Sequence, residues 1–449
     1  ADFESIQQQG LQGVYVLPVK EGIYAPAKNE KNSPAGQQWT LLQFAMKEAK
    51  RLHLRMAMPV SNILSADSAI NTSAADRRQQ LVWTKNFVKT GTKLPLAERP
   101  QATDGYYKDI AVLAYPANSA QPFSDTVQVP AVITSTGARA SFLCFEDSTA
   151  GESLYCANGT WVQYRYRTAF TCRAIRVQAN AANARLLLQA GNDGQHFTSI
   201  STLEAPRCIA NGNEAYTVSI PTTTARYFRF VVQAASKFLV NEKGVDTSVS
   251  IALKNIHLTD EPQLHHYEAK SGGCLRIADA VSPQYPSEAW VPANRVLDLT
   301  ALMDSSGRLQ WTAPPGNWVI VRIGHTAAAQ DATHRQFDKM NAALVSQQVA
   351  AWYQQAFQNA PAPLAKELAS LLRADSAAAE GQRWSVSLPA VLTKRLHYNW
   401  QPYLLTLTGV PVESSAQSEK FLTDLRASIA ALIDRNYAAA LKKMAQKRS

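Results

Sequence analysis

The chain has 449 residues and a formal net charge of +10, with 46% hydrophobic and 18% charged residues. A single hydrophobic core stops growing near ~250–300 residues, so this length calls for several cores. No apolar run approaches the ~18 residues of a membrane-spanning helix. The basic residues are scattered rather than massed, which argues against nucleic acid as a partner while leaving acidic glycans compatible with the charge.

Residues 1 to about 90 alternate helical and buried-strand patterns. Phe3, Ile6 and Gln7 open a short helix that Gly10 and Gly13 interrupt, and Gly13 to Val19 reads as a buried parallel strand. A helix through Trp39, Leu42, Phe44, Ala49 and Leu52 follows, then an apolar run from Leu54 to Val60. From about 104 to 325 the pattern changes to short strands separated by polar turns: Ile110 to Tyr115, Ala184 to Ala190 before the turn Gly191-Asn192-Asp193-Gly194, and Arg226 to Val232. Beyond 326 the helical period returns through Met340, Leu344, Val349, Trp352 and Phe357. A strand from Leu368 to Arg373 follows, and a last helix carries Phe421, Leu425, Ile429, Leu432, Tyr437 and Leu441 on one stripe. The order predicts an α/β domain interrupted by an inserted all-β module, divided as 1–90, 91–325 and 326–449.

The five cysteines fall between Cys144 and Cys274 without CxxC spacing, which disfavours a metal site and suits one or two disulfides. With the absence of an initial methionine, this points to an exported protein, secreted or periplasmic.

Several segments, in chain order, resemble the family 106 glycoside hydrolases, the α-L-rhamnosidases. They are Lys47 to Leu52, Gln80 to Thr84, Tyr106 to Pro116, Tyr267 to Gly272, Arg295 to Thr300, Arg322 to Thr326, Asp338 to Met340 and Pro402 to Leu404. The resemblance implies a (β/α) TIM-like barrel interrupted by a β-sandwich, jelly-roll-like module. It also implies calcium as a frequent cofactor and inverting hydrolysis of α-L-rhamnosides, with a rhamnose-containing polysaccharide or glycoside as partner. Inversion needs one carboxylic acid to protonate the leaving oxygen and one carboxylate to activate water, and in a barrel such groups stand at strand ends. The stretch Asp375 to Trp384, DSAAAEGQRW, lies there.

Aligned with the family pattern through Asp375, Ser376, Gln382 and Trp384, the chain places Ala378 where the family has a glutamate. Glu380, two residues on, and Asp375 are then the catalytic candidates. Asp338, His325 and Trp384 are the substrate-binding candidates, with helix capping as the plain alternative for Asp338 and a structural role for His325. The barrel-type strands number only three or four, so a partner chain completing the barrel is a further expectation. A catalytically inactive carbohydrate-binding protein, or a structural partner derived from the family, is the alternative to an enzyme. His265 and His266 are expected on opposite faces of a strand, and Glu268 and Lys270 as a structural pair on one face.

Overall fold

The structure is a computed structural model. It describes residues 2–15, 35–59, 73–117, 128–145, 152–180, 184–206, 215–234, 240–241, 244–245, 250–274, 282, 290–328, 337–359, 372–373 and 381–446. The chain is a mixed α and β protein with three main sheets. A short helix, Asp2–Gln8, leads to β1 (Gly13–Tyr15), then the helix Ala35–Arg51 and β2 (Arg55–Pro59). β1 and β2 pair in parallel, as a β-helix-β crossover requires. Met46, Ala49, Leu52, Leu54 and Met56 form the small core beneath them.

β3 (Gln79–Val88) and β4 (Tyr107–Pro116) belong to a second, antiparallel sheet. The all-β part follows: β5 (Ala131–Thr134), β6 (Leu154–Ala157), β7 (Trp161–Asn180), β8 (Ala184–Gly191), β9 (Thr198–Leu203) and β10 (Tyr216–Ala234). After it come the small hairpin β11 (Val240–Asn241) with β12 (Gly244–Val245), and then β13 (Ser250–Thr259). Seven of these strands make one antiparallel sheet in the order β6-β13-β7-β10-β8-β9, with β5 also on β7. β7 and β10 are its spine. Register shifts between Ser219 and Thr223 and between Ala225 and Tyr227 bend the pair, which lets strands of about twenty residues enclose a core. The alternation BiBiBiBi along β8 shows one face packed and the other meeting water.

β14 (Leu297–Asp298) and β15 (Trp318–Ala327) complete the second sheet, in the order β14-β4-β15-β3. All ten residues of β15 are buried, because it is a central strand covered on both faces. One face meets a small core with Leu309, Trp318 and Leu299. The other meets the largest core, built with the helices Ala342–Asn359, Leu388–Arg395 and Ser415–Ile433. β3, which ends at Val88, pairs along its length with β15, which runs through residue 325.

β16 (Leu372–Arg373) adds in parallel to β2, giving the order β1-β2-β16. The last helix starts at a Ser414 cap whose side chain accepts from the Gln417 N–H, and continues through a π turn at Asp434–Ala438 into Ala439–Gln446. Phe421, Leu425, Ile429 and Leu432 on its buried stripe match the predicted face.

Candidate functional site

Asp375 and Glu380 lie outside the described residues, so the site is built from the groups on either side of them. Three chain segments converge there: the start of β3, the turn at 337–341, and residues 381–385. Phe337 bridges to Arg77, and Trp384 bridges to Gln79. The Arg383 N–H donates to the Gln79 carbonyl at 3.3 Å, and the Gly381 N–H to Gly273 at 3.2 Å. Residues 381–384 are thus laid along the start of β3.

Asp338 is the centre of the convergence and is 3% exposed. Its backbone N–H donates to Asp76 at 2.9 Å. One carboxylate oxygen accepts from the Met340 N–H at 2.9 Å and from the Gln382 side-chain amide, and the other accepts from the Ser385 hydroxyl at 2.6 Å. Gln382 returns the contact by accepting from the Lys339 N–H at 3.1 Å. The amide and the carboxylate therefore clamp two turns 44 residues apart in sequence. Burial raises the Asp338 pKa, while the Ser385, Met340 and Gln382 donors oppose that rise. Helix capping is not its role: Asn341 caps the following helix, its side chain accepting from Leu344 N–H at 3.2 Å.

His325 on β15 lies between Leu81 of β3 and Lys108 of β4 and is buried. Its Nδ1 is 2.9 Å from Gln79 Oε1. The Gln79 amide nitrogen donates to the Arg77 carbonyl at 2.6 Å, so Oε1 is the acceptor, Nδ1 carries the proton and Nε2 is the acceptor nitrogen. Burial, with the nearby Lys108 charge, lowers its pKa to about 4, and the ring is neutral at ordinary pH. Tyr106 meets it edge-on at 5.9 Å. Beside it, Arg77 pairs with Asp104 at 2.6 Å. Trp384 is 2% exposed and belongs to the largest core with Leu81, Val321 and Ile323, so its ring surface is spent on packing.

Two adjacent expectations change. Glu268 and Lys270 do not pair with each other, because the chain there forms a turn rather than a strand. Glu268, fully enclosed, accepts from the Thr217 N–H at 3.0 Å and its hydroxyl at 2.6 Å. Lys270 forms a buried ion pair of 2.7 Å with Glu419 on the last helix, which also accepts from Ser282. His265 and His266 likewise share a turn, with ring centroids 3.9 Å apart.

The side chains that hold Asp338, namely Gln382 and Ser385, follow no local spacing with it, and only Gln382 stood out in the sequence. Among the described residues no group of three His, Cys, Asp or Glu side chains could hold a metal ion, and the oxygens of Asp338 face N–H and O–H donors. Cys274 is disulfide-bonded, with its partner outside the described residues. Cys144, Cys156 and Cys172 are buried thiols. No helix among the described residues is long and apolar enough to cross a membrane.

The described residues thus combine a parallel β-α-β unit with antiparallel sheets, and a buried carboxylate is clamped beside the start of β3. A profile of the α-L-rhamnosidase family, glycoside hydrolase family 106, matches residues 1–449, and the chain belongs to that family. The rhamnosidase structure from Novosphingobium sp. PP1Y superposes with a TM-score of 0.66 at 19% identity, over 99% of this chain and 43% of that one. A Formosa agariphila protein provisionally named a beta-glucuronidase is 30% identical over 176 residues, 36% of this chain and 14% of its own length. The chain thus spans less than half the length of either relative.

Proposed function

We propose that this chain contributes to hydrolysis of terminal α-L-rhamnose from rhamnose-containing glycans, with inversion. Family membership over the whole chain supports the chemistry. The observation that carries the site is the Asp338, Gln382 and Ser385 clamp, which fixes the residues directly after the 375–380 stretch. The parallel order β1-β2-β16 supports a TIM-like barrel, since β16 ends immediately before that stretch and barrel chemistry sits at the carboxyl ends of strands. The bent seven-stranded sheet supports a jelly-roll-like inserted module.

In this reading Glu380 or Asp375 protonates the leaving oxygen, and a carboxylate roughly 6.5–9.5 Å away activates water. Asp338 acts through residues 381–385, next to that stretch: a reacting group displaced by ~1 Å loses about a hundredfold in rate, and the clamp opposes such displacement. Neutral His325, with Nε2 as acceptor, and Trp384 stabilise the wall beneath the sugar. The Cys274 disulfide supports an exported, secreted or periplasmic location.

Ala378, at the family's glutamate position, favours a second reading: binding of such a glycan without turnover. Release of free rhamnose from an aryl α-L-rhamnoside and from a pectic polysaccharide, with and without calcium chloride, separates the two. Turnover abolished in Glu380→Gln establishes hydrolysis with the acid moved by two residues. No release from the folded chain overturns hydrolysis and leaves the binding reading.

A further inference from the structure

The turn between β8 and β9 is built in detail. At Gly191 a Cβ would stand 2.2 Å from the His196 carbonyl oxygen, and Gly194 holds φ +78° against the Tyr227 ring, so both positions require glycine. Asp193 accepts from the N–H groups of Gln195 and His196 at 2.9 and 2.8 Å, and its second oxygen is 2.6 Å from His196 Nδ1. Asn192 ties the turn to β10 by accepting from the Arg226 N–H at 3.1 Å. The result is an ordered turn presenting an imidazole side chain that is 88% exposed.

Next to it, the Arg229 guanidinium lies 3.7 Å from the Phe197 ring centroid and 4.5 Å from that of Trp161. Two donors from Arg229 to the Gln163 side-chain oxygen, at 3.0 and 2.7 Å, hold it there. Phe197 is therefore fixed by a cation on one side instead of being free to turn. Between this turn and residues 223–225 is an open cavity of about 560 Å³, lined by Asp193, His196, Phe197, Thr198, Thr223 and Thr224. That volume is in the range of small-ligand sites, roughly 300–1,000 Å³.

We propose that this cavity is a saccharide-binding site, on a different sheet from the Asp338 site. The carboxylate of Asp193 cancels the charge of His196, so an anion gains little there. A vicinal diol needs both a donor and an acceptor, and His196, Asp193 and the threonine hydroxyls provide both. Phe197 supplies the apolar surface for the C–H face of a pyranose ring. The site would keep the chain on a glycan while the Asp338 region works on its ends, and only that last statement rests on the proposed hydrolysis.

The test is native affinity electrophoresis of the 449-residue chain in gels containing rhamnogalacturonan, homogalacturonan or neutral galactan, with a polysaccharide-free gel as reference. Wild type is expected to be retarded by at least one of them, and His196→Ala and Thr223→Val to weaken that retention at least tenfold while aryl-rhamnoside release stays unchanged. Wild type that runs alike in every gel overturns the site. So does retention that His196→Ala and Thr223→Val leave intact, including ionic adsorption that salt removes. Retention lost in both variants from a chain that releases no rhamnose upholds the site and removes the hydrolase reading instead.

Discussion

The core of the seven-stranded sheet and the region around Asp338 bury their residues differently. Inside the sheet the enclosed side chains are mostly apolar: Ile175, Leu186, Leu188, Phe228, Phe230 and Val232 form its core, with Gln163, Thr217, Ser219 and Asn255 as uncharged polar residues buried on its strands. Around Asp338 the largest core runs directly into buried polar and charged groups, among them Gln79, His325, Lys339, Gln382, Ser385 and the Lys270–Glu419 pair. Enclosing such groups is unfavourable unless each finds a partner. A chain that can fill a sheet with Leu, Val and Phe has no packing reason to bury an aspartate beside residues 381–385. The polar region is better understood as holding a geometry, and the apolar one as a rigid platform that carries its chemistry on exposed turns.

That contrast can be broken most forcefully through the two cores. Phe421→Ala and Phe228→Ala each remove a fully enclosed ring and are expected to cost roughly 3–5 kcal/mol. Calorimetry should show each variant lowering a different part of the unfolding transition, whereas equal lowering of one transition would join the regions into a single cooperative unit. Lys270→Met removes the ion pair to Glu419 and leaves the Arg426 charge near that carboxylate. A loss toward the lower end of roughly 3–5 kcal/mol is expected in urea denaturation, because Glu419 keeps its Ser282 donors. The double variant Lys270→Met with Glu419→Met should recover most of that loss.

Ser385→Ala removes one donor from Asp338 and is expected to cost about 1–3 kcal/mol. If the clamp positions the following chemistry, kcat for rhamnoside release should fall with KM little changed. A further effect is a pH slope. The His325 pKa is lowered to about 4, below an ordinary imidazole, so between these values the unfolded chain binds the extra proton. The stability from the neutral ring is complete above about 6.5 and is lost as pH falls toward 4. His325→Gln should flatten that part of the profile. Asp338, with a raised pKa, contributes in the opposite sense, and subtracting the two profiles isolates the histidine.

Much of the architecture was legible because its signals are local. Alternation in Ala184 to Ala190 and Arg226 to Val232 marks two strands, and the stripe from Phe421 to Leu441 marks the last helix. The turn after β8 was equally visible as Gly191-Asn192-Asp193-Gly194, though nothing local revealed the cavity beside it. The expected strand pair Glu268 and Lys270 failed for a related reason. Period-two reasoning presumes extended backbone, and here the chain turns, sending one side chain to Thr217 and the other to Glu419.

By itself the sequence determined the succession of βα, all-β and helical zones, the likeness to the α-L-rhamnosidase family and the run of alanines from Ala377 to Ala379. Each of these is written in contiguous residues. Only the tertiary structure decided that β3 and β15 pair across some 230 residues, and that Gln382 and Ser385 close on Asp338. It also decided that His196 stands ordered over an open cavity. Those contacts join residues whose separation along the chain carries no periodic signal, so they exist only once packing has chosen which surfaces meet.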